Sequence, residues 1–111
     1  MDLGPEHRLA VYGSLAPGES NHHQLAGLAG EWMRGVLRGE RRDQGWGTAG
    51  GFPGLRLDPN GGEVAVQVFS SPDLPAHWAR LDRFEGADYR RVTVEVTTAD
   101  GPVAAQVYVV G

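Results

Sequence analysis

The sequence predicts a single mixed α+β domain built mainly of β-strands, with a few short helices. Three observations predict it. Arg91–Thr97 alternates apolar and polar residues with a period of two. Glycine-rich turn signals divide the second half into strand-length pieces. Between those pieces lies one stretch whose apolar residues recur at helical spacing. With 111 residues, of which 41% are hydrophobic and 22% charged, the chain is large enough for one core and far from the composition of disordered segments.

Leu9–Tyr12 is a short apolar run closed by Gly13, and reads as a first strand ending in the turn Gly13–Gly18. Leu25, Leu28 and Trp32 recur at intervals of three and four, which suggests an amphipathic helix within Asn21–Trp32, although Gly27 and Gly30 oppose it at about 1 kcal/mol each. The stretch Gly35–Gly54 is rich in glycine and arginine and reads as a strand near Val36–Leu37 followed by a long loop, with Trp46 and Phe52 as packing anchors. Leu55 and Leu57 run into the turn Asp58–Gly62, after which Val64, Val66 and Val68 alternate with Ala65, Gln67 and Phe69; this reads as a hairpin. A second hairpin joins Arg91–Thr97 to Val103–Val110 through Ala99–Gly101.

The segment Ser71–Gly86 is the helix. Pro75 suits its first turn, Ser71 or Asp73 supplies a side-chain acceptor for early amides, and Gly86 provides a left-handed stop. Leu74, Trp78, Leu81 and Glu85 are spaced four, three and four, so they share one stripe, and Glu85 falls where a leucine is expected. A carboxylate there must find donors, accept a raised pKa or face a water-accessible cavity. A carboxyl poised near neutrality suits proton transfer. Spacing leaves two bland placements open beside that one: an outward swing from a frayed last turn, or an ion pair with Arg90. Asp82 lies off the stripe and reads as a surface or helix-end partner.

Other chemistry is constrained by composition. The chain has no cysteine, which excludes disulfides, thiolate catalysis and sulfur-based zinc sites. Its four histidines fall in no ligand spacing, so no metal or cofactor is expected. A net charge of -4 argues against nucleic acid as a partner, and Arg34, Arg38, Arg41, Arg42, Arg90 and Arg91 read as solvated surface or a local patch. No lysine occurs, so Tyr12–Leu15 is no lysine-type phosphate loop, and it lacks the spacing of a dinucleotide site. Ser14 does not complete a GxSxG elbow and reads as a hydrogen-bond donor rather than a nucleophile. The glycine turn can offer amide N–H groups to an anion or oxyanion, or be a tight structural turn. Tyr89, four residues beyond Glu85, either returns its hydroxyl to the same cavity or packs. The segment Met1–Arg8 leads into no apolar run long enough for a signal peptide or a membrane span, so a cytoplasmic location without a membrane partner is expected.

Tyr12-Gly13-Ser14-Leu15, Leu81-Asp82-Arg83-Phe84-Glu85-Gly86 and Tyr89-Arg90-Arg91-Val92 occur in this order, with Gly51-Phe52-Pro53-Gly54-Leu55 between them and Val107-Tyr108-Val109 at the end. From about Leu9 to Val109 the chain resembles the gamma-glutamylcyclotransferase-like superfamily, in particular its small AIG2-like members. The resemblance implies a small, largely antiparallel β-barrel with a few short helices. It also implies a cyclotransferase acting on a gamma-glutamyl amine or dipeptide and releasing 5-oxoproline and the free amine, without a cofactor, as a monomer or homodimer. Glu85 would be the general acid and base, the amides of Gly13, Ser14 and Leu15 would hold the substrate, and Tyr12 and Tyr89 would shape the pocket. The alternatives are a small-molecule binding domain that keeps the cavity without turnover, and a structural or protein-interaction domain.

Overall fold

Strand pairing closes a ring. In the computed structural model, which describes residues 4–12, 23–42, 54–87 and 89–110, the elements are β1 (Arg8–Val11), α1 (His23–Ala26), β2 (Glu31–Arg42), β3 (Gly54–Leu57), β4 (Gly62–Ser70), α2 (Trp78–Glu85), β5 (Tyr89–Thr98) and β6 (Gly101–Val110). β1 lies between β4, antiparallel, and β6, parallel. β4 pairs with β2 from Glu31↔Ser70 to Gly39↔Gly62, and the other edge of β2 meets β5 at Gly35↔Thr98 and Val36↔Thr97. The β5–β6 hairpin completes a closed five-stranded barrel, and β3 is an extra strand added to β2 at Gly39–Arg42. The expected mixed α+β barrel, largely antiparallel, is present.

The period of two divides the apolar residues between two clusters. One face of each strand fills the barrel with Ala10, Leu37, Val66, Val68, Val96 and Val107. The opposite face of β1, β4 and β6 carries Leu9, Val11, Phe69 and Tyr108, and against these pack Leu25 of α1 and the stripe Leu74, Trp78 and Leu81. Full burial of each such side chain stabilises the fold by about 1.5–3 kcal/mol. α2 therefore lies outside the barrel, held by its apolar stripe, and the barrel interior is a separate core.

Three expectations are corrected. The helix anticipated within Asn21–Trp32 is one turn, His23–Ala26, because Trp32 lies on β2 and stacks on its cross-strand partner Phe69 with ring centroids 4.8 Å apart. Gly30 ends that region at a close approach: a Cβ there would sit 2.3 Å from the Ser70 carbonyl oxygen. Secondly, the strand expected near Val36–Leu37 is present but runs over 12 residues, Glu31–Arg42, so Arg38–Arg42 belong to it and not to the loop. Its glycines serve contact rather than flexibility, since a Cβ on Gly35 would lie 2.5 Å from Val96 Cγ1 and one on Gly39 2.4 Å from the Arg56 carbonyl oxygen. The rest of the expected loop, with Trp46 and Phe52, lies outside the described residues. Thirdly, β3 and β4 do not form a hairpin. Gly39 pairs with Leu57 on one side and Gly62 on the other, so β2 runs between them, and the Asp58–Gly61 turn crosses it at Arg38–Gly39, where the Asp58 N–H donates to the Arg38 carbonyl at 3.3 Å.

The second hairpin is as expected, with Gly101 at φ 108° in its turn. The helical segment begins as a 3-10 turn, Leu74–His77, and becomes α-helical from Trp78. Ser71 Oγ accepts the Asp73 N–H at 3.1 Å, whereas the Asp73 carboxylate accepts from Ala29 N–H at 3.1 Å and so ties the short α1 region to this segment. Gly86, at φ 87°, ends α2 as a residue with a side chain rarely could.

Candidate active site

The helical stripe persists to its last member. Leu74 and Leu81 are fully buried, Trp78 is 7% exposed, and Glu85, at the end of α2, is half-buried. Burial is what the carboxyl responds to: desolvation pushes its pKa from an ordinary 4.5 up to about 7. Arg90, weighed as an ion-pair partner, is exposed, and among the described residues no hydrogen bond or ion pair holds the Glu85 carboxylate. The placement is that of an acid kept near neutral pH at the rim of an apolar layer.

Around it stand phenols. Tyr12 follows β1 and its hydroxyl donates to the Tyr108 carbonyl at 2.6 Å, which carries the ring across the end of the parallel β1–β6 pair. Burial raises the Tyr12 phenol well above its usual range; Tyr89 and Glu85 raise it further and Arg41 opposes them. Burial also raises Tyr108, together with its hydrogen bond to Asp82 and the charges of Asp82 and Glu85, against Arg91. Tyr12, Tyr89, Tyr108 and Glu85 thus share one electrostatic neighbourhood. Tyr89 is partly buried against the outer apolar cluster, which is the packing role weighed for it.

A cleft of about 690 Å³ opens beside Tyr12, lined among others by Val11, Arg34, Val36, Gln67 and Thr98. Glu85 is not in its lining. Tyr12 is the residue common to the cleft and to the surroundings of Glu85. The proposed substrate-binding residues Gly13, Ser14 and Leu15 lie outside the described residues. His77 lies beside Arg80, at 3.4 Å, and among the described residues no cluster of histidines and carboxylates has the makings of a metal site.

Sequence reasoning missed a polar network on the same helix. Asp82 receives Arg91 Nε at 2.9 Å, Arg91 Nη2 at 3.3 Å and the Tyr108 hydroxyl at 2.6 Å. Arg91 also donates to Gln106 Oε1 at 3.1 Å, and its guanidinium lies 4.4 Å from the centre of the Trp78 ring. Gln106 in turn donates to Thr93 Oγ1 at 2.8 Å. Desolvation alone would raise the Asp82 pKa, but these hydrogen bonds and the Arg91 charge outweigh it and hold the carboxyl below its usual range. The available signal was the strand period: Arg91, Thr93, Gln106 and Tyr108 all fall on the face opposite the barrel interior. Their meeting with α2 depends on tertiary packing.

Comparison with known proteins agrees with the geometry. The profile of the family described as "Gamma-glutamyl cyclotransferase, AIG2-like" matches residues 9–111. No curated protein matches the chain in sequence. Among solved structures, YkqA from Bacillus subtilis is similar at 29% identity and a TM-score of 0.73, over 95% of this chain and 36% of that one. The chain thus spans about a third of YkqA. A protein from Arabidopsis thaliana solved in solution is similar at 28% identity and a TM-score of 0.72, over 94% of this chain and 61% of the other. An AIG2-like protein from Mus musculus shares the fold at 21% identity and a TM-score of 0.74, over 95% and 77% of the two chains.

Proposed function

Since the chain belongs to the AIG2-like gamma-glutamyl cyclotransferase family, we propose that it cyclises gamma-glutamyl amines or gamma-glutamyl dipeptides to 5-oxoproline and a free amine, with Glu85 carrying the protons. The observation that supports this most directly is the Glu85 carboxyl, raised to about 7 by burial at the end of the stripe and flanked by Tyr12 and Tyr108.

The substrate brings its own nucleophile. Its alpha nitrogen attacks the gamma carbonyl carbon, closing a five-membered ring, and the bond from that carbon to the departing nitrogen then breaks. Glu85, ionised, takes a proton from the attacking ammonium and returns it to the departing nitrogen, and the second proton, which the ring nitrogen sheds on becoming an amide nitrogen, ends on the released amine, which leaves as an ammonium ion. No water is consumed and the carboxylate is regenerated. A positioned acid–base group contributes about 10²–10⁴ in rate, and holding the glutamyl chain folded adds the advantage of proximity. The amides of Gly13, Ser14 and Leu15 are assigned to the glutamyl carboxylate and the developing oxyanion, and Tyr12 and Tyr89 to the walls of the pocket.

The test is incubation with a panel of gamma-glutamyl amides and dipeptides across pH 5–9, following 5-oxoproline. Product is expected with at least one member, and Glu85→Gln should remain folded and lose about 10² or more of the rate. No product from any member overturns the proposal; an unchanged rate in Glu85→Gln removes Glu85 from it. The cleft beside Tyr12, which Glu85 does not line, favours a second reading in which gamma-glutamyl ligands bind without turnover. Saturable binding with no product would select that reading.

A further inference from the structure

Asp82 makes more bonds than a surface ion pair needs. Its side chain is 43% exposed, and an ion pair that open contributes little to stability. Yet both its oxygens are engaged by Arg91, and Oδ1 takes the Tyr108 hydroxyl as well. Residues three apart on a helix are neighbours, about 5–6 Å between Cβ atoms, so Glu85 sits one turn further along the same helix. Asp82 thus collects the guanidinium and the hydroxyl that β5 and β6 direct toward α2, and the next carboxylate along the helix is the one left without a partner among the described residues.

We infer that Asp82 is a positioning residue for Glu85: by engaging Arg91 and the Tyr108 hydroxyl, it keeps both donors off the Glu85 carboxylate and pins the last turn of α2 to β5 and β6. The inference rests on the proposed acid–base role of Glu85. Among the described residues, the charged and titratable groups around this end of the helix are Tyr12 just after β1, with Arg41 of β2 acting on it, Tyr89, Arg90 and Arg91 from β5, Tyr108 from β6, and Asp82 and Arg83 on α2 itself. Within this set, Asp82→Asn removes an anion and leaves Arg91 without its counter-charge. Both effects favour ionised Glu85. Arg91→Gln does the reverse, removing the cation and leaving the Asp82 anion uncompensated.

The experiment is a carboxyl carbon NMR titration of Glu85 in the full chain, for wild type, Asp82→Asn and Arg91→Gln, with thermal unfolding of each recorded in parallel. The Glu85 midpoint should fall in Asp82→Asn and rise in Arg91→Gln, by roughly one pH unit or less in each case. General loosening of the helix would expose Glu85 in both variants and move both midpoints the same way, downward. Opposite shifts support the inference. Shifts of the same sign, or none, overturn it. Should either variant fail to fold, the sign of the other decides, with a midpoint that is unmoved or moved the wrong way overturning it. Where turnover is measurable, kcat in Asp82→Asn should fall about tenfold with little change in KM, as expected for a displaced proton carrier. The titration needs no substrate, so a wild type that forms no 5-oxoproline would overturn the acid–base reading of Glu85 and, with it, the catalytic meaning of the shifts, while unmoved midpoints in an active enzyme would overturn only the role of Asp82.

Discussion

A buried acid near neutrality destabilises the fold that holds it, and the size of the effect is set by linkage. The Glu85 pKa is 4.5 when unperturbed and about 7 in the folded chain. Below pH 4.5 both states hold the proton and stability is unaffected. Between the two values the unfolded chain releases the proton while the folded chain keeps it, so stability falls as pH rises, by about 1.4 kcal/mol per pH unit. Above pH 7 the loss is complete and amounts to about 3 kcal/mol, less whatever solvent screening reaches this half-buried group. Glu85→Gln removes the ionisation. Its buried amide adds an offset of about 1–3 kcal/mol that does not vary with pH, so the prediction concerns the difference between the two profiles. In urea unfolding at pH 4, 5, 6, 7 and 8, the stability of Glu85→Gln relative to wild type should increase from pH 5 to 7 and level off by pH 8. Profiles that stay parallel over this range would refute the reasoning, since Glu85 would then be no more buried, electrostatically, than an ordinary surface glutamate.

The same ionisation governs the rate if Glu85 must first accept a proton: activity on any turned-over gamma-glutamyl substrate should rise with pH through a midpoint near 7, and a profile flat from pH 5 to 8 would count against it. Leu81, fully buried in the stripe, should cost about 2–5 kcal/mol when changed to alanine, read as a lower urea midpoint. Loss of Leu81 is also expected to lower the Glu85 midpoint by admitting water, checked in the NMR titration. Gly39→Ala places a methyl carbon 2.4 Å from a backbone oxygen of β3, and should destabilise the barrel by about 1–3 kcal/mol and raise amide exchange in β3 before β4. Stability equal to wild type would mean that β3 can move aside.

What was legible in the sequence was what a local period can carry. Strand alternation located the β5–β6 hairpin and the inward valines of β4, and the helical stripe located Leu74, Trp78, Leu81 and the position of Glu85 among them. Family motifs added the barrel. What was not legible depends on partners distant in sequence. Gly39 read as a loop residue because glycine is a turn signal locally, whereas here its missing Cβ makes room for the Arg56 backbone, as that of Gly35 does for Val96. The supposed β3–β4 hairpin failed for a related reason: a turn between two apolar runs does not reveal that a third strand lies between them. Asp82 looked like an ordinary helix-surface acid because Arg91, Tyr108 and Gln106 reach its helix only after β5 and β6 pair.

The division of the protein into two apolar clusters explains how so small a chain can carry an acid of this kind. If Glu85 faced the barrel interior, it would displace a valine from the closely packed core and its ionisation would oppose closure of the strands. Placed on an outer helix, it perturbs only the layer formed by Leu9, Val11, Phe69, Tyr108 and the α2 stripe. That layer is anchored at several points away from the carboxyl: the Trp78 indole N–H donates to the Glu6 carbonyl at 2.9 Å, the Ser71 N–H donates to the His7 carbonyl at 2.8 Å, and Asp73 reaches the Ala29 N–H at 3.1 Å. The helix start is thereby fixed independently of its end, and the end is fixed by Asp82 rather than by Glu85. The desolvated carboxyl is left out of the bonds that hold its own helix, so its ionisation costs stability through desolvation and breaks none of them.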